Sequence, residues 1–342
     1  MIKTLQTTLK QDKESFQIPS SVQDTIPIRR LWPDGVFQFG SKYSKTLRFS
    51  DINYAIASKE DKTAMFLGYS ELLNALDTGS TTKITINNRR LNRGNFERDI
   101  LLPLRGDRLD EERAEYNAML LGKVTDSSNS VVQERYITLS AHRKSLEEAR
   151  TFFDRAVNDV TSRLSHLDSR CEELDATERL RILHDFYRVG EEVQFRLDLA
   201  ECVRSGRSFK DAICPDSMEF RKDHFVMGKQ YGRVLFLKEY ASYIKDSMIN
   251  ELTSLNRNLM LSIDIIPVPT DEAVREMQNR LLGVETNVTN WQRRQNSNNN
   301  FSAVVPYDLE QQRRETREML DDLTTRDQRM LFAVVTLVHL AD

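Results

Sequence analysis

The chain has 342 residues, 39% apolar and 30% charged, with a net charge of −3, a balance that suits two soluble domains with their own cores and excludes the basic excess of a dedicated nucleic-acid binder. The longest apolar run, 331–338 with one Thr, falls far short of the ~20 residues that span a bilayer. The N-terminal stretch is too polar for a signal peptide, so a cytoplasmic location is expected.

A polar lead covers 1–25, and a first α+β module is expected over 26–205. It opens with "PDGVFQF" and "KTLRFSDI", two strands around the turn-prone "GSKYS". Ser58 and Asp61 then cap a helix with Met65, Phe66, Tyr69, Leu72, Leu73 and Leu76 at three- and four-residue steps, ended by Gly79. "TTKITINN" alternates as a strand. A looser arginine-rich connection leads to a helix over 109–122 and the strand "VVQERYITLS". Ser145 and Glu148 form an S-x-x-E capping box for the longest helix of this half, whose stripe runs Leu146, Ala149, Phe153, Ala156, Val160, Leu164, Leu167. That length fits core packing better than a coiled coil. The helix "ATERLRILHDFYR" and a patch of mixed character, "ECVRSGRSFKDAI", complete the half.

A second α+β module is expected over 206–342, because "CPDSMEFRKDHFVMGKQYGRVLFLKEY" repeats the Pro-Asp start, short strand, turn and longer strand of "WPDGVFQFGSKYSKTLRFSDINY". A helix near 244–255, the strand "NLMLSIDIIPV", a helix capped by Thr270 with Val274, Met277 and Leu281 on one face, a helix over 308–326 and a terminal strand follow. "QNSNNN" at 295–300 is predicted as a loop, and the apolar terminal strand as buried on both faces. Both halves therefore share an element order that predicts two related ferredoxin-like (split βαβ) modules with additional helices.

Most catalytic signatures are missing. Gly122-Lys123 and Gly228-Lys229 lack the spacing and the Ser/Thr of a phosphate-binding loop. "GYSEL" lacks the second glycine of a nucleophile elbow, and His142, His166, His184, His224 and His339 show no metal-ligand spacing. Cys171, Cys202 and Cys214 form no CxxC pair and are expected as ordinary reduced thiols. No catalytic, cofactor-binding or metal residue is therefore assigned.

Two binding patterns remain. Arg89, Arg90, Arg93, Arg98, Arg105 and Arg108 crowd one connection, but Glu97, Asp99 and Asp107 lie among them, so a self-paired surface is expected. "KQYGRVLF" approaches the RNA-recognition strand pattern at Lys229, Tyr231, Gly232, Val234 and Phe236, with Arg233 where an aromatic is wanted. This supports an alternative reading as a self-contained nucleic-acid-binding protein in which Lys229, Tyr231, Arg233 and Phe236 make the contacts and Tyr231 and Phe236 stack bases.

The segment 26–88, with its Trp32-Pro33-Asp34-Gly35 turn, its "KTLRFSDINY" strand and its "EDKTAMF" helix start, resembles the start of the VirB-four-like conjugal-transfer ATPases of the TraE or TrbE type. The likeness continues through "RLRILHDFYR", "PDSMEFRKDHFVMGKQYGRVLFL", Pro306-Tyr307-Asp308-Leu309 and "RDQRMLFAVVTLVHLAD". It implies the α+β region that precedes a RecA-like motor in a type IV secretion machine. ATP and magnesium are then expected only for a motor domain that this sequence does not include, and the terminal strand is expected to continue into it. The chain alone is expected to be inactive. The resemblance further implies secretion-channel proteins as partners, homo-oligomers of the intact protein and a peripheral place at the cytoplasmic face of the membrane. Direct nucleic-acid contact is not expected.

Overall fold

The computed structural model describes residues 19–54, 56–90, 101–125, 131–240, 247–298 and 304–341. The fold is α+β. Among these residues eleven strands form one sheet, accompanied by eight α-helices.

The strands are β1 (Arg30–Leu31), β2 (Phe37–Phe39), β3 (Lys42–Phe49), β4 (Ser80–Arg90), β5 (Val131–His142), β6 (Cys171–Glu173), β7 (Met218–Phe220), β8 (Phe225–Met227), β9 (Gln230–Phe236), β10 (Asn258–Pro267) and β11 (Leu331–Ala341). The helices are α1 (Lys59–Asn74), α2 (Asp110–Thr125), α3 (Leu146–His166), α4 (Ala176–Tyr187), α5 (Leu199–Ser205), α6 (Ser247–Thr253), α7 (Thr270–Ser297) and α8 (Tyr307–Thr325).

The strand order is β1-β2-β3-β5-β4-β10-β11-β9-β8-β7, with β6 beside β3. Read from the two ends inward, it says the same thing twice. Each half contributes a short edge strand and a hairpin, and then places its last strand between the long hairpin strand and its middle strand. The sequence echo does not follow this repeat strand for strand: the Pro-Asp of "WPDGVFQF" lies between β1 and β2, whereas that of "CPDSMEF" precedes the edge strand β7.

The chain divides into two compact units: residues 17–72, 81–265 and 333–342 in one, and 73–80 with 266–332 in the other. In the larger, period-two alternation sorts β3 and β5 onto two faces. Tyr43, Leu47, Ile137, Leu139 and Ala141 pack against Ala149, Phe152, Phe153, Val157, Val160 and Leu164 of α3. The opposite face carries Ser44, Thr46 and Thr138 and is met by α4. In the smaller unit, α7 and α8 join through Ala273, Met277, Leu320 and Leu323, and Arg317 bonds Glu285 at 2.6 Å. There Asn74 Nδ2 donates to Gln328 Oε1 at 3.0 Å and Arg329 Nη1 to Leu76 O at 2.8 Å, which ties 73–80 to the end of the α8 segment.

Capping follows the sequence signals in part. Ser58 Oγ accepts from Asp61 N at 3.1 Å, and Ser145 Oγ from Glu148 N at 3.2 Å. The Glu148 carboxylate takes the N–H of Lys144 rather than of Ser145, so that box closes one residue early. An unforeseen box, Asp175 with Glu178, opens α4.

Four expectations need correction. α1 stops at Asn74, well before Gly79, where the chain turns into Leu76. Thr270 is the first residue of α7 rather than its cap; Pro269 holds the cap position and makes no side-chain bond. α7 runs on through 295–297, because Val284 and Val288 are buried against a neighbour and extending a formed helix costs little, which outweighs the turn preference of Asn and Ser. The terminal strand is only half-buried along most of its length, with Leu340 alone fully buried and Val334 exposed. The expected 244–255 helix lies partly outside the described residues, and α6 accounts for the rest.

Among the described residues no helix is long and apolar enough to cross a membrane. No group of three His, Cys, Asp or Glu there could hold a metal ion. The cysteines are free thiols, two half-buried and Cys214 buried, where desolvation pushes its thiol up.

Candidate functional site

Gly228, in the left-handed region at φ 59°, lets β8 turn into β9. Met227 pairs with Gln230 and Phe225 with Gly232, while β9 on its other side pairs with β11 from Tyr231↔Ala341 to Phe236↔Thr336. The missing side chain of Gly232 matters too: a Cβ there comes within 2.1 Å of the Phe225 ring that lies over it.

Alternation divides β9. Tyr231, Arg233 and Leu235 share one face, Gly232, Val234 and Phe236 the other. Through the ladder Phe225 and Phe220 join the second face. Phe236 is 67% exposed, Phe220 65%, Val234 53% and Leu235 50%, so this is apolar surface left outside any core.

Beyond Gly232 the edge of β9 away from β11 is also open among the described residues. Leu237 N donates to Val335 O at 3.0 Å, which fixes the phase of the ladder. Residues 231, 233 and 235 therefore turn their backbone groups toward β11, and Gly232, Val234 and Phe236 turn theirs away. β8 reaches only Gly232. Among the described residues no strand pairs with the outward N–H and C=O of Val234 and Phe236. Just after β9, Tyr240 is held on the β11 side, its Oη donating to Ala333 O at 2.8 Å and accepting from Val335 N at 3.2 Å. A free backbone edge flanked by apolar side chains is a template for strand addition.

The four residues of the nucleic-acid reading sit on this hairpin but do not converge. Lys229 is an exposed turn residue. Tyr231 and Phe236, five positions apart, point to opposite faces and share no stacking platform. Arg233 is engaged by Asp223, through Nη2 to Oδ2 and Nε to the backbone O, both at 3.1 Å. The His224 ring at 2.8 Å and then Arg233 hold the Asp223 carboxyl below its ordinary range.

In the arginine-rich connection Arg89 lies 3.2 Å from Glu134 and 3.6 Å from Asp185, and Asp107 bonds Arg113 at 2.6 Å. Arg93, Arg98, Glu97 and Asp99 lie outside the described residues.

Sequence reasoning passed over two features. One is the open side of β9, which depends on where β8 stops. The other is Arg179, which lies on the apolar stripe of α4 between Ala176 and Leu183 and is buried. A cation at an apolar stripe position was the available signal. No family model matches the chain, and no curated protein matches it.

Proposed function

We propose that this chain is an assembly and interaction region of a conjugal-transfer (type IV secretion) ATPase of the VirB-four-like kind, with no nucleotide chemistry of its own. The ordered sequence resemblance supports the family, and the repeated strand order supports reading its halves as related ferredoxin-like modules. One observation carries the interaction role: among the described residues, no strand pairs with the outward backbone groups of Val234 and Phe236, which lie beside the exposed side chains of Val234, Leu235 and Phe236. An extended segment of a channel protein adds there as a further strand, its backbone supplying affinity and its alternate side chains packing on Val234 and Phe236. In this reading the chain works peripherally at the cytoplasmic face of the membrane, and ATP with magnesium belongs to the motor that drives the machine.

Transfer in the donor cell tests the docking role. Replacing the resident gene with a Val234→Lys, Phe236→Lys version is expected to lower mating frequency at unchanged protein level, and undiminished transfer overturns it. The absence of nucleotide chemistry is tested separately. Calorimetric titration of the purified chain with magnesium-ATP is expected to give no binding heat, whereas tight binding or turnover contradicts the reading.

A further inference from the structure

A cavity of about 220 Å³ lies between α4 and the sheet face opposite α3. The composition of that face explains it. Where the α3 side presents Leu47, Ile137 and Leu139, this side presents Thr46, Thr85, Thr138 and Tyr136, so α4 packs on Phe37, Ile26 and Ile28 at the sheet's end but leaves space over the threonines. Thr46 and Thr138 satisfy each other at 2.9 Å. The remaining walls are apolar, from Phe37, Ile182, Leu183 and Met260 among others.

Arg179 forms part of the lining and is buried. Its Nη1 donates to Gly35 O at 2.6 Å and Ser44 O at 2.9 Å, its Nη2 to Ser44 Oγ at 3.0 Å, and its guanidinium carbon lies 3.9 Å from the Phe37 ring centre. These partners are neutral. Among the described residues no carboxylate pairs with it, and burial pushes its pKa down to about 9. A guanidinium has five donors, and a buried cation without a counter-charge is costly. Elsewhere in the chain the half-buried arginines Arg89, Arg113 and Arg188 each have a carboxylate.

We infer that this cavity binds a small carboxylate with an apolar tail, its head against Arg179 and the threonine hydroxyls and its tail along Phe37, Leu183 and Met260. Charge complementarity selects the head group. The apolar walls exclude a strongly hydrated dianion, and the volume exceeds the ~150 Å³ that accepts a benzene ring, which suits a chain of about eight carbons. The site is separate from the β9 edge and stands or falls without it.

The test is calorimetric titration of the full chain with sodium octanoate and, as its neutral counterpart, 1-octanol. Octanoate is expected to bind about ten-fold or more tightly than octanol, the difference carried by the charge-assisted bond. Leu183→Trp and Thr85→Leu fill the cavity from opposite walls with Arg179 left in the sequence, and either, if folded by circular dichroism, is expected to abolish octanoate binding. Equal affinity for acid and alcohol, no binding at millimolar octanoate, or binding that survives in a folded filled variant overturns the inference.

Discussion

Replacing Gly35 with Ala is expected to lower the unfolding free energy by about 2–5 kcal/mol, the sum of left-handed strain and forced overpacking. Gly35 has φ 79°, and a Cβ there meets Leu174 O at 2.1 Å, with Leu174 C and Asp175 C at 3.1 and 3.3 Å. None of these atoms can swing aside, because all three are backbone. Leu174 is fully buried, its N–H donates to Thr46 O at 3.1 Å, and the next residue caps α4 through Glu178. On the other side, Gly35 N donates to Trp32 O at 2.9 Å and Trp32 N to Val36 O at 3.0 Å, so the turn is fastened to the first hairpin. Its carbonyl also accepts from Arg179. Any relief of the clash therefore moves either the hairpin or the start of α4. Denaturant unfolding followed by tryptophan fluorescence measures the loss, and an unchanged midpoint contradicts the role given to this turn.

The paired substitution Val234→Lys, Phe236→Lys is expected to weaken association with a channel protein by about 30- to 1000-fold, the range spanned by interface residues worth about 2–4 kcal/mol. Stability should hardly move. Both side chains are largely exposed, so their burial contributes little to folding, and surface changes of this kind stay within about 0.5 kcal/mol. Lysine is also a residue that natural edge strands use against unwanted pairing, since a charged head resists desolvation by an incoming strand. The measurements are a binding titration and a melting curve on the same sample. Weakened binding at constant midpoint is the expected pair of results; unchanged binding removes β9 from the docking surface.

Most of the architecture was legible from hydrophobic period and punctuation. The Phe37–Phe39 and Lys42–Phe49 hairpin, the α3 stripe and the β10 strand show strong periodicity and clear boundaries, and packing agrees with them. The echo of the Pro-Asp starts misaligns the halves by one strand: Pro33-Asp34 opens the β2–β3 hairpin, whereas Pro215-Asp216 opens β7, and the hairpin at the matching position in the strand order is β8–β9. Helix ends were read less well. Thr270 and the Gln-Asn stretch after Trp291 carry capping and turn chemistry locally, while the fate of α7 is settled by Val284 and Val288, far along the same helix.

Site features were the least visible. Tyr231 and Phe236 look like partners in a linear pattern, but an odd separation in a strand sends them to opposite faces. The open edge depends on where a neighbouring strand ends, a long-range fact that β9 does not encode. Burial of Arg179 depends on the carbonyls of Gly35 and Ser44, over a hundred positions away in sequence.

The docking claim meets its most direct test in hydrogen exchange at individual amides of β9. With a channel protein of the same conjugation apparatus added at saturating concentration, the N–H groups of Val234 and Phe236 are expected to gain protection while Leu235, already turned toward β11, changes little. A complex that forms and leaves Val234 and Phe236 exchanging as in the free chain contradicts the claim.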